Sequence, residues 1–178
     1  MKKKNIVIFV IIGIVLIGVL RLGYLGQKAS ETFIFDANSF SRVTTDELIE
    51  KLGECSEKED WTNKTSKGTF NVTTYSYDLN GHHYEFLVCD DKVVRASVYS
   101  QKYWTGEGEL FKYHLGKTDI LTMIGVDLGD NSEQFSNGLM WRISSASDTI
   151  EEINVQCIDS KEKTFDFVKI TYDSRYFD

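Results

Sequence analysis

The sequence predicts an α+β protein: an N-terminal transmembrane helix followed by a tandem of helix-loop-antiparallel-meander repeats sharing one core. Three observations carry this expectation. An unbroken apolar run, Ile6–Leu20, follows three lysines at positions 2–4. A capped amphipathic segment beginning at Thr44 ends at Gly53 and gives way, after a polar stretch, to alternating segments joined at Asn80-Gly81. A fainter copy of that order starts at Thr118, 73 residues after Thr45 (118 − 45 = 73). The expected organisation is an anchor over 1–25, a connector over 26–39, a first repeat over 40–101 and a divergent second repeat over 102–178.

From Ile6 to Leu25 the N-terminal segment has 20 residues, about 30 Å as a helix, which matches the hydrocarbon core of a bilayer. Arg21 can snorkel and Tyr24 suits the interface. The lysine cluster stays on the cytoplasmic side by the positive-inside rule, so the expected localisation is a single-pass cell-membrane protein with its C-terminal domain outside. The alternative is a cleaved signal peptide and a secreted product. Against it, Ala29 precedes Ser30 but the residue at −3 is Gln27, which is not small.

The 178 residues suit one ordinary domain or two small ones with a common core. From Glu31 onward there are 15 Lys+Arg and 27 Asp+Glu, so that portion carries 15 − 27 = −12. Nucleic-acid affinity comes from basic side chains, so nucleic acid is excluded as a partner. Three cysteines, Cys55, Cys89 and Cys157, cannot all pair within one chain. Two readings stand: buried thiols acting as small hydrophobes, or one disulfide, Cys55–Cys89. Proline is absent, which excludes a stiff proline-rich stalk.

Each element follows from local signals. Thr44 with Glu47 forms a capping box, Val43 and Leu48 a hydrophobic staple, and Leu48, Ile49 and Leu52 a buried stripe. A helix over Thr45–Leu52 is therefore expected, stopped by Gly53 in the left-handed conformation. Residues 54–68 are polar apart from Trp61 and read as a loop. The period then becomes two. Asn80-Gly81 as turn residues pairs Tyr77 with Tyr84, Tyr75 with Phe86 and Thr73 with Val88. A three-residue loop at Asp90-Asp91-Lys92 would set Val88 opposite Val94, Phe86 opposite Ala96 and Tyr84 opposite Val98. In the second half Phe111, Tyr113 and Leu115 alternate. Thr118–Gly125 echoes the first helix, and strands are expected at 138–144, 152–159 and 165–172.

Phe40-x-x-Val43-Thr44-Thr45-x-Glu47-Leu48-x-x-x-Leu52-Gly53, the Trp-containing loop, then Tyr75-x-Tyr77 and Tyr84-Glu85-Phe86 resemble the repeat of β-lactamase-inhibitor-protein-like domains. They are also similar to the SmpA/OmlA envelope lipoproteins and to membrane-anchored proteins of Gram-positive bacteria. The resemblance covers 40–100 and, weakly, 111–172. It implies binding or scaffolding outside the cytoplasm, not catalysis, and a paired cysteine at Cys55. The lipid-attachment cysteine of the lipoproteins is missing, and no individual binding residue carries over.

Direct chemical signals are few. His82-His83-Tyr84-Glu85 reads as a polar strand, because a metal site needs ligands converging from several elements. Asp127–Asn131 lacks the alternating oxygens of a calcium loop. Neither a nucleophile elbow nor a phosphate loop is present. No catalytic, cofactor or metal residue is assigned. The expected function is a membrane-anchored extracytoplasmic protein-binding or scaffolding domain, of inhibitor or immunity type, with another envelope or secreted protein as partner. The alternative is a metal-dependent envelope hydrolase. The meander's second face supplies the expected partner-binding residues, His83, Glu85, Leu87, Arg95 and Tyr99, since Tyr and Arg dominate binding hot spots.

Overall fold

The computed structural model describes residues 34–114 and 117–178, which belong to one compact unit. A short 3₁₀ turn (Ala37–Phe40) leads into α1 (Thr45–Leu52). Strands β1 (Glu57–Thr65), β2 (Gly68–Leu79), β3 (His82–Cys89) and β4 (Lys92–Ser100) follow, then α2 (Gln101–Thr105). The remainder is β5 (Phe111–Lys112), α3 (Lys117–Met123), β6 (Glu133–Ser136), β7 (Met140–Ser144), β8 (Glu152–Gln156), β9 (Thr164–Phe165) and β10 (Phe167–Thr171), closed by a 3₁₀ turn at Ser174–Tyr176.

Eight of these strands make one antiparallel sheet in the order β1-β2-β3-β4-β10-β8-β7-β6, and β5 pairs with β9 apart from it. This corrects the expected fold class. The first and second halves of the chain are not a tandem of three-stranded repeats: they run into one sheet through β4 and β10, where Val98 faces Val168 and Ala96 faces Ile170. The expected single-pass anchor, and the membrane localisation drawn from it, are also corrected: among the described residues no helix is long and apolar enough to cross a membrane. Residues 6–25, on which that expectation rested, lie outside the described residues.

Local signals set the first helix as read. The Thr44 hydroxyl accepts from the Glu47 backbone N–H, and the Glu47 carboxylate accepts from the Thr44 N–H at 2.7 Å. Gly53 ends the helix at φ 81°, ψ −163°, a region essentially confined to glycine, rather than in the left-handed basin that was expected. Asn80 and Gly81 both have positive φ, and the β2–β3 register has Tyr77 opposite Tyr84 and Tyr75 opposite Phe86.

Two further expectations change. Residues 57–65, read as loop, form edge strand β1, paired residue by residue with β2. As an edge strand with exposed side chains it needs no apolar alternation, and its charges discourage pairing with other chains. The β3–β4 turn has two residues, Asp90 and Asp91, both at positive φ, so Val88 faces Val93 instead of Val94. A bulge at this end restores the register for Phe86–Ala96 and Tyr84–Val98, and sends Val94 to the opposite side of the sheet.

One side of the sheet carries the main core. Tyr77, Phe86, Val98, Ile170, Ile153 and Trp141 lie beneath Leu48 of α1, Ile120 and Ile124 of α3, and Ile34 and Phe40 of the leading segment. Of the two readings of the cysteines, the Cys55–Cys89 disulfide is not formed, nor is the paired Cys55 that the resemblance implied: all three thiols are free. Cys55 packs against the main core, whereas Cys89 lies in a second apolar cluster with Val72, Leu87, Val94, Tyr176 and Phe177.

Candidate functional site

Strand alternation places His83, Glu85 and Leu87 of β3 and Arg95 and Tyr99 of β4 on the side of the sheet away from the main core, with His83 opposite Tyr99 and Leu87 opposite Arg95. The second half extends this side. Lys169 lies opposite Ser97 and Asn154, and Thr171 lies opposite Arg95 and Glu152. Arg142 follows opposite Asn154 on β7. A polar band thus crosses the β4–β10 junction.

The five residues named from sequence share the face but not its exposure. His83 is 4% exposed, and Leu87 and Tyr99 are 8% each. Short α2 brings Trp104 flat onto the His83 ring, with centroids 3.8 Å apart and planes within 8°. The His83 Nδ1 lies 2.8 Å from Asp78, and the Tyr99 hydroxyl donates to Glu85 at 2.9 Å. At the other end the C-terminal segment covers the sheet. Tyr176 and Phe177 pack over Leu87, and the Arg95 guanidinium lies 3.4 Å from the centre of the Phe177 ring. Only Glu85 and Arg95 of the five retain partial exposure.

Between these two aromatic covers sit two half-buried cations. Arg95 has one hydrogen bond among the described residues, from Nε to the Thr171 hydroxyl at 3.2 Å, and forms no ion pair there. Burial lowers its pKa from the ordinary value, partly opposed by the Glu152 carboxylate. Lys169 also makes no ion pair among the described residues; burial first, and then the Arg95 charge, lower its pKa, with the Glu85 carboxylate acting the other way. Two like charges desolvated side by side are costly to hold, and such arrangements concentrate at functional sites. Arg142, by contrast, is matched by Glu152, which accepts from Arg142 Nε at 2.6 Å and from Asn154 at 2.5 Å. Lys169 and Arg142 were not singled out from sequence; the alternation Phe167-Val168-Lys169-Ile170-Thr171 was the available signal.

A cavity of about 570 Å³ opens beside Arg95, lined in part by Arg142, Glu152, Thr171 and Phe177. Among the described residues no group of three or more His, Cys, Asp or Glu is placed to hold an ion, the His82-His83-Glu85 run included.

No protein-family model matches the chain, and no curated protein matches it. Among the solved structures similar to the chain are two at low identity. One is a cysteine-rich secretory protein of Staphylococcus aureus, at 11% identity and TM-score 0.43, covering 76% of this chain and 46% of that one. The other is an extracellular protein containing an SCP domain from Bacillus anthracis, at 16% identity and TM-score 0.41, covering 79% of this chain and 46% of that one. This chain thus spans about half the length of each.

Proposed function

We propose that this protein is an exported, non-catalytic binding domain that recognises another extracytoplasmic protein through the polar side of its sheet. The observation that supports this most directly is the pair Arg95 and Lys169: two partly desolvated cations, on strands from the two halves of the chain, neither with an ion-pair partner among the described residues. Folding keeps their charges near one another at a cost that an anionic group on a partner would offset. Export is supported by the sequence alone, through the basic residues at 2–4 followed by an apolar run. An inhibitory or immunity-type role is the finer form of the same reading.

The test places a photo-crosslinking residue at Asn154, in the centre of the polar band, and a second at Lys58, on the exposed outer strand. In the native cells, discrete adducts are expected from position 154 and none from 58. Equal labelling from both positions, or none from 154, would remove the polar band as the binding surface.

A further inference from the structure

The charged groups around the Arg95 cavity are not equally provided for. Lys67 donates through Nζ to the carbonyls of Ser174 and Phe177, at 2.9 and 2.7 Å. Arg142 bonds Glu152. Glu151 accepts from Arg42 and from the Ser174 N–H, each at 2.8 Å. Asp178 accepts from the backbone N–H and the hydroxyl of Ser66, at 2.9 and 2.6 Å. Arg95 is the exception: its Nε is used by Thr171 and its flat face by Phe177, while its two terminal nitrogens have no hydrogen-bond partner among the described residues.

We infer that the Arg95 cavity is a carboxylate-binding site, in which the free edge of the guanidinium takes both oxygens of one carboxylate from an acidic peptide segment. Stacking on Phe177 and the bond to Thr171 fix the plane of the guanidinium, so a two-pronged acceptor meets it without further ordering. Charge selects a monoanion. The three cations lining the cavity, Lys67, Arg95 and Arg142, are matched by the side-chain carboxylates of Glu151, Glu152 and Asp178, so the lining carries no surplus of positive charge. A dianionic phosphate would face those carboxylates with no surplus of positive charge to offset them. A single carboxylate needs only the one donor edge that the protein leaves unused. The inference rests on the polar band being a binding surface, but its chemistry is testable without a partner.

The experiment follows the Arg95 side-chain Nε–H resonance of the full ¹⁵N-labelled chain while small probes are added. N-acetylglycine presents a main-chain carboxylate, N-acetylaspartate amide a side-chain carboxylate, N-acetylglycinamide no charge, and inorganic phosphate a dianion. A saturable shift is expected with at least one carboxylate, the stronger of the two identifying its source. Phosphate should bind more weakly, and the neutral amide should cause no saturable shift. Arg95→Lys keeps the charge but loses the fork, and should weaken carboxylate binding about tenfold. An Arg95 signal indifferent to both carboxylates, or equally responsive to the neutral amide, overturns the site; this result needs only the unmodified protein, so a poorly folding variant cannot obscure it. Carboxylate binding without crosslinks from position 154 would keep the site and discard the partner reading.

Discussion

The His82 ring packs against Phe111, with centroids 4.7 Å apart, and its Nδ1 is buried without a hydrogen bond. Burial holds its pKa below the ordinary 6.5. A histidine depressed in this way binds its proton more readily in the unfolded chain. Its contribution to stability is therefore complete above about pH 6.5 and is lost as the pH falls through the folded-state value. His82→Phe should flatten the loss of stability just below pH 6.5, as read from urea midpoints at several pH values; an unchanged slope would show that His82 does not titrate on unfolding. Gly53 offers a different residue-scale test. A Cβ there would meet nothing within 4 Å, so any cost of substitution is backbone strain and not collision. Gly53→Val should lose on the order of 1–3 kcal/mol. Gly53→Asn should lose nearly as much, because asparagine tolerates the left-handed basin but not φ 81° with ψ −163°. Full stability of the asparagine variant would place the glycine in the ordinary helix-ending conformation. That a glycine stops this helix was legible in the sequence; which positive-φ region it occupies was not, since that depends on where the following strand must start.

Elements legible in the sequence were those whose signals are local. The capping box and the Asn80-Gly81 turn act over three or four residues, and both formed with the expected register. Edge strand β1 was unreadable because exposed edge positions demand no apolar period. The β3–β4 bulge was missed because a two-residue turn with aspartates at positive φ displaced the register by one. The candidate site was half legible for a related reason. Period-two alternation put five residues on one side correctly, yet it says nothing of their covers: Trp104 folds back from the short helix that directly follows β4, and the segment 174–178 comes from the far end of the chain. The C-terminal cover leads to a prediction of its own. Burial pushes the Cys89 thiol up to about 11, and it lies within the apolar cluster to which Tyr176 and Phe177 contribute. Deleting residues 174–178 should turn Cys89 from inert to reactive towards a thiol reagent, while exposed Cys157 reacts in both forms. Cys89 reacting equally fast in the intact chain would mean that the C-terminal segment does not cover it.

At the scale of the whole molecule, the polar band exists only because β4 and β10 join: Arg95 and Ser97 stand on one side of the junction, Lys169 and Thr171 on the other. Sequence reading, which treated the halves as repeats, had no means of seeing this junction, because each half alternates plausibly by itself and the paired residues lie 68 to 76 apart (167 − 99 = 68 and 171 − 95 = 76). The junction also bears on stability. Ile170 is fully buried between Ala96 and Ile153, so Ile170→Ala should cost about 2–5 kcal/mol. It should do so by moving a single unfolding transition, not by creating a second one. Native-state hydrogen exchange, residue by residue, tests the continuous sheet most directly. Amides of β3, β4, β10 and β8 are expected to be the slowest and to share one opening free energy across the junction, with β1 and β6 faster at the edges. Two separate levels of protection for the strands before and after residue 101, or β4 amides exchanging as fast as those of β1, would contradict it.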